Sequence, residues 1–164
     1  AGGSELAFAC DLVYIAEDAQ VGYPAVRTMS SPDNQFYPWL MGMRASMELM
    51  LTGDSISGLE AVRLGFANRA HPVEELEGHV LEMAERIAKV DPELAQLNKR
   101  LVHRQMEAMG MRAGLRAGTD LHALGWHTKA SRDYMAQMRQ GVKEALTSRD
   151  STFGDYRTGA KTEG

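Results

Sequence analysis

The chain of 164 residues holds one cysteine, Cys10. A lone thiol excludes an internal disulfide framework and fits a reducing compartment. Basic residues are not in excess: 18 Lys and Arg stand against 22 Asp and Glu, a net charge of −4. Lys99-Arg100 and His103-Arg104 form a local positive cluster but no basic stripe, which argues against nucleic acid as a partner. No apolar run approaches the ~20 residues needed to span a bilayer, so no membrane partner is expected. No targeting segment is visible, although a chain without its front portion would have lost one. Cytoplasmic residence is the expectation that remains. The histidines at 71, 79, 103, 122 and 127 show no ligand spacing, and the step from His122 to His127 fits one helical face poorly. No metal is expected. Internal repeats and low-complexity blocks are missing as well.

What is present suits a folded domain. Hydrophobic residues make up 44% and charged residues 24%, and the length allows one domain with a real core. Eleven methionines suggest irregular core contacts or oligomer contacts. Cys10 is expected to pack inside.

The pattern is a strand-containing start followed by a helical back half. Residues 4–9 read as a short helix after a Gly pair. Leu12-Val13-Tyr14-Ile15-Ala16 reads as a short buried strand, and Val21-Gly22-Tyr23 as a second extended piece. Ser30-Ser31-Pro32-Asp33-Asn34 has turn chemistry. Trp39, Met43, Met47 and Leu51 recur every four residues and predict one apolar helix face, with Gly53 as its stop. Ser57-Gly58-Leu59-Glu60 fits a capping box, and Gly65 ends that helix. Residues 66–70 read as a link. A helix is predicted over 73–89, with Leu76, Val80, Met83 and Ile87 on one side. Asp91-Pro92-Glu93 starts another, running to Met109 before Gly110. Further helices are predicted over 111–128 and 131–148, and a frayed tail after Asp155.

The opening residues carry the chemistry. Ala1-Gly2-Gly3-Ser4-Glu5 presents backbone N–H groups at a helix mouth with a carboxylate one turn in. Such a site can hold a developing oxyanion and move a proton beside it. Finding it at the very start makes the chain read as the back portion of a longer protein.

Taken together, several segments resemble the crotonase superfamily, the enoyl-CoA hydratase/isomerase family. They are Ala1-Gly2-Gly3-Ser4-Glu5-Leu6-Ala7-Phe8-Ala9-Cys10-Asp11, Ala16-Glu17-Asp18-Ala19-Gln20-Val21-Gly22, Met47-Glu48-Leu49-Met50-Leu51-Thr52-Gly53-Asp54 and Ile56-Ser57-Gly58-Leu59-Glu60-Ala61-Val62-Arg63-Leu64-Gly65-Phe66-Ala67-Asn68. Their order and spacing agree with the family's second half. The resemblance implies an α/β fold: the last turns of a ββα spiral over residues 1–70, bearing the active-site residues, then a helical C-terminal region over 71–164 used for trimerisation. It implies an acyl-CoA substrate, no separate cofactor, and a homotrimer or a dimer of trimers. The family's adenine loop and second oxyanion donor are expected upstream.

By resemblance, Gly2 is an oxyanion-hole donor and Glu5 one of two glutamates that activate water. The plain alternatives are a glycine at a helix entry and an acid that favours the first turn. The position of the second glutamate is Ala25, which cannot donate or accept a proton, so standard hydration is in doubt. The loop after Pro32 departs too, and Asp33 is the candidate replacement acid, base or nucleophile; the plainer reading is a turn aspartate. Tyr23 and Tyr37 suit either an enolate contact or a pocket wall. Arg27 is expected at the surface, with pairing to Asp33 or a place facing a phosphate as the alternatives. The resemblance also places Lys99, Arg104 and Phe153, with Tyr156, at the CoA, against a solvated helix face as the alternative for the first two. The reaction left open is hydration, isomerisation, hydrolysis, carbon–carbon cleavage, or acyl-CoA binding with little catalysis.

Overall fold

The computed structural model describes residues 1–33 and 36–154. The expected frayed tail, with Tyr156, lies outside the described residues, as do Asn34 and Gln35 of the loop.

Helix α1 (Gly2–Phe8) opens the chain, followed by β1 (Tyr14–Ala16) and β2 (Gln20–Gly22). A 3-10 turn (Pro24–Arg27) leads to α2 (Tyr37–Thr52), β3 (Ser55–Ser57), α3 (Gly58–Leu64) and β4 (Arg69–His71). Helices α4 (Val73–Ala88), α5 (Pro92–Ala108), α6 (Met111–Trp126), α7 (Lys129–Gln140) and α8 (Val142–Asp150) complete it, with a last 3-10 turn (Ser151–Phe153). Strand β1 pairs in parallel with β4, with Ile15 opposite Ala70, and β2 pairs antiparallel with β3, with Val21 opposite Ile56. Strands β3 and β4 fall where the sequence showed only links. Three residues are too few to display an alternating pattern.

The core gathers α1, β2, α2, α3 and the turn after α3 around Phe8, Val21, Tyr23, Tyr37, Met41, Leu49, Ala61 and Phe66. Phe8 anchors it, with ring centroids 4.1 Å from Tyr37 and 4.5 Å from Phe66. Each aromatic pair adds roughly 0.5–1.5 kcal/mol beyond its buried area. Local signals set the helix ends. Ser57 Oγ accepts from the Glu60 N–H, and the Asp91 carboxylate accepts from the N–H groups of Glu93 and Leu94. Gly53 and Gly65 end their helices in the left-handed region.

Four expectations change. The face predicted on α2 points outward: Met43 is 71% and Leu51 75% exposed, while Tyr37, Met41, Ser46 and Leu49 are buried. Met43, Met47 and Leu51 do share one face beyond the break at Gly42 (φ 72°, ψ 168°), but it is the face turned away from the core. The single helix over 131–148 is two, α7 and α8, separated at an extended Gly141. Cys10 is exposed, because α1 ends before it and the chain turns outward; its Sγ lies 3.4 Å from the Leu6 carbonyl. Leu12 is also largely exposed, and β1 is half-buried rather than buried.

Gly58 fixes how α3 meets β1. A Cβ there would stand 1.9 Å from the Ala16 carbonyl oxygen, a backbone atom with little room to yield. Gly58→Ala should therefore destabilise the protein by at least about 1–3 kcal/mol, the range for overpacking. Thermal unfolding followed by circular dichroism checks this, and an unchanged midpoint would refute it.

Candidate active site

The N-terminal end of α1 is tied to β2. The Ala1 amino group and Ser4 Oγ both donate to the Gly22 carbonyl. The Ala1 carbonyl accepts from the N–H groups of Ser4 and Glu5, so those of Gly2 and Gly3 stand ahead of the helical ladder. Gly2 is exposed, and nothing lies within 4 Å of where its Cβ would be. Gly2 thus leads the short α1, at the positive end of its amide dipoles.

One turn on, the Glu5 carboxylate accepts from the Asp33 N–H at 2.9 Å. Glu5 is half-buried and Asp33 exposed. The structure thus brings two of the expected acids together through a backbone amide of the second. Tyr23 and Tyr37 form the inner wall. Burial holds the Tyr23 phenol above its usual pKa; Glu5 and Asp33 add to this, and the Ser30 hydroxyl opposes it. Burial likewise raises Tyr37 far above the ordinary tyrosine range, helped by Glu5 and Tyr23. The Tyr37 hydroxyl is buried with no hydrogen-bond partner among the described residues. At Ala25 the side chain packs against the apolar core, so the position matched to a second glutamate is a hydrophobic contact.

The residues expected at a CoA do not converge on this point. Lys99 Nζ lies 2.6 Å from Asp11 Oδ2, and His103 Nε2 sits on the other oxygen of the same carboxylate. The hydrogen bond from Lys99 is the main reason the Asp11 carboxyl lies below its ordinary pKa. Lys99 thus docks α5 onto the chain just past α1. Arg104 is exposed on α5. Phe153 lies under the Arg27 guanidinium at 4.1 Å.

Arg27 corrects the expectation of a surface role. Its side chain is 2% exposed and pairs with Asp54 at 2.8 Å and with Asp150 at 3.1 Å, while Nε donates to the Thr52 carbonyl. The 3-10 turn aims it inward under the end of α2, where Gly53 leaves room for it. Arg149 closes on Asp150 with two hydrogen bonds of 2.7 Å. No local pattern marks this cluster, because 123 positions separate Arg27 from Asp150.

A second feature also escaped the sequence. Helix α6 grips the loop that carries Asp33, through His122 and the residues Ser30 and Ser31. Elsewhere, a groove of about 460 Å³ between β1, β4 and α4 holds the stacked rings of His71 and His79 but none of these acids. Among the described residues no three His, Cys, Asp or Glu side chains converge on a metal-sized site. No helix among them is long and apolar enough to cross a membrane.

The family model for enoyl-CoA hydratase/isomerase matches residues 1–155. EchA13 of Mycobacterium tuberculosis is 38% identical over 125 residues, 74% of this chain and 39% of that protein. The mitochondrial enoyl-CoA hydratase of Pongo abelii is 30% identical over 158 residues, 94% of this chain and 51% of its own length. The crystal structure of an enoyl-CoA hydratase from Mycobacterium smegmatis superposes with a TM-score of 0.91 at 28% identity, over 94% of this chain and 53% of that one. The chain spans about half the length of the relatives it matches. Its α/β arrangement of short strands followed by helices is a partial crotonase fold. With the family model covering all but its last residues, the chain belongs to the enoyl-CoA hydratase/isomerase family.

Proposed function

We propose that this chain carries the acid–base half of an acyl-CoA enzyme resembling enoyl-CoA hydratase. The observation that carries the proposal is the pairing of Gly2 and Glu5. Amide N–H groups free of the helical ladder open α1, and one turn later a carboxylate faces two buried phenols and the Asp33 amide. A thioester carbonyl placed at the Gly2 N–H gains charge as its α-carbon exchanges a proton. The N–H, at the positive end of α1, favours that charge. Glu5 then acts as the acid or base that exchanges the proton or activates water.

Ala25 directs the choice among family reactions. With no carboxylate there, Glu5 handles protons alone or shares the work with Asp33. Hydration of an enoyl-CoA is the reading we favour, since the named hydratases are among the relatives most similar to it. Isomerisation, hydrolysis, carbon–carbon cleavage, or acyl-CoA binding with little turnover are the alternatives that Ala25 leaves standing. The exposed apolar positions on α2 and α5, Met43, Leu51, Leu97 and Leu101 among them, favour a homotrimer or a dimer of trimers.

The direct test is the loss of enoyl absorbance when the protein meets crotonyl-CoA, extended to a panel of acyl-CoA thioesters. Turnover of the enoyl thioester is expected. Tight CoA binding with no turnover across the panel would replace the enzyme with a binding subunit. Sedimentation of the same preparation as a monomer would remove the oligomer from the proposal.

A further inference from the structure

Helix α6 holds the loop that carries Asp33 from behind, and the approach is close. A Cβ on Gly125 would stand 2.8 Å from Ser30 Cβ and 3.2 Å from the Met29 carbonyl oxygen, so the missing side chain lets the helix backbone meet the loop. One turn earlier, His122 Nδ1 lies 2.8 Å from the Ser31 carbonyl oxygen and 3.1 Å from Ser30 Oγ. Trp126 Nε1 donates to His122 Nε2 at 3.0 Å. An indole N–H can only donate, so Nε2 is the bare nitrogen and Nδ1 carries the hydrogen given to Ser31. On its other side the loop hangs from the Ala25 carbonyl, which accepts from the N–H groups of Thr28, Met29 and Ser30.

From this anchor the path to Glu5 is short and stiff. The Ser31 carbonyl belongs to the peptide that joins Ser31 to Pro32, and the Asp33 N–H belongs to the next peptide. Both are planar, so only the two backbone torsions of Pro32 lie between them. The proline ring locks φ, and the Pro32 side chain is fully buried. The Asp33 N–H then donates to Glu5 Oε1 at 2.9 Å. The last torsion of a glutamate is broad, so its carboxylate is aimed by what it is bonded to. Here that partner is an amide whose own place is set from α6.

We propose that His122 and Gly125 are positioning residues: they fix the loop at Ser30 and Ser31, and through Pro32 they place the Asp33 N–H that aims the Glu5 carboxylate. The effect on rate rests on the acid–base role proposed above for Glu5. Helix α6 then does more than support the fold. It acts on the site through the backbone of the loop.

Two measurements test this, and they fail separately. The first reads the Asp33 amide in 15N-labelled protein, with no thioester present. Its proton is expected at low field and slow to exchange with deuterium, with Glu5→Ala as the reference for a freed amide. His122→Phe and Gly125→Ala should each move this signal toward the reference while the amides of α3 keep theirs. An unmoved Asp33 amide in either folded variant overturns the proposal. The second measurement is kinetic, with crotonyl-CoA as substrate. His122→Phe and Gly125→Ala should each lower kcat about ten- to a hundredfold with little change in KM, the effect of misplacing a reacting group by about 1 Å. His122→Asn, whose side-chain N–H can stand in for Nδ1–H, should recover most of the loss. In a Glu5→Gln background His122→Phe should cause no further fall, because the group it aims no longer exchanges protons. An equal fall in that background, or no recovery with asparagine, would leave His122 a support of the fold alone and overturns the proposal. A wild-type protein that turns over no thioester would defeat the hydratase reading alone, and the Asp33 amide would then decide the positioning by itself.

Discussion

Glutamine in place of Glu5 should leave the protein folded and slow hydration of an enoyl-CoA by about 10²–10⁴-fold, the usual contribution of a positioned acid or base. Glutamine keeps an oxygen that can accept from the Asp33 N–H, now held at 2.9 Å. It keeps the length and shape of the side chain as well. What it loses is the ability to exchange a proton. The competing role for Glu5 is electrostatic, a negative charge near the positive end of α1, worth about 0.3–1 kcal/mol. The two roles therefore separate on two instruments. A catalytic Glu5 gives a small shift in the unfolding midpoint and a large fall in kcat. A merely structural Glu5 gives the same small shift and unchanged turnover, and that result would end the acid–base assignment.

Asp150→Ala should cost about 3–5 kcal/mol of folding stability, the range for removing one partner of a buried ion pair. The Asp150 side chain is 1% exposed and those of Arg27 and Arg149 are 2% and 8% exposed. Both guanidiniums lean on this one carboxylate, which ties α8 to the turn before α2. Burial alone would raise the Asp150 pKa, but Arg149 and then Arg27 outweigh it and hold the carboxyl below its ordinary range. A carboxylate whose pKa is depressed by folding stabilises the protein above its unfolded value, near 3.9. That contribution is lost as pH falls through the lower, folded value. Urea unfolding of both proteins should thus show the largest gap near neutral pH and a shrinking gap below about pH 4. A gap that stays constant into acid would show that packing, not charge, holds this corner.

The parts of the fold legible in the sequence are those written within a few residues. Ser57 and Glu60, Asp91 and Pro92, and the left-handed Gly53 and Gly65 each settle a helix end by contacts inside one turn. The short helix expected over 4–9, after the Gly pair, instead begins at Gly2, so Gly2 and Glu5 share it. On α2 the spacing found a shared face for Met43, Met47 and Leu51, but spacing alone does not say whether a face meets the core or solvent, and Trp39 lies across the Gly42 break from them. Strands of three residues hid inside apparent links. The buried Arg27 cluster and the grip of His122 on Ser30 and Ser31 were illegible because their partners are about a hundred positions apart. No local pattern marks a residue for a partner that distant. The meeting of Glu5 with Asp33 is an intermediate case: both were suspected, and only folding shows that the second acid arrives by its backbone.

Gly42 shows how a contact map can mislead a protein engineer. A methyl group there would touch nothing within 4 Å, so the site looks vacant and forgiving. Its torsions, φ 72° and ψ 168°, nevertheless belong to a region essentially reserved for an achiral residue. The position is open in space and closed in conformation. It sits five residues after Tyr37, so straightening the rod to admit a side chain would swing the ring that stands near Glu5. A solvent-facing spot with no neighbours is in this way mechanically geared to the proposed site.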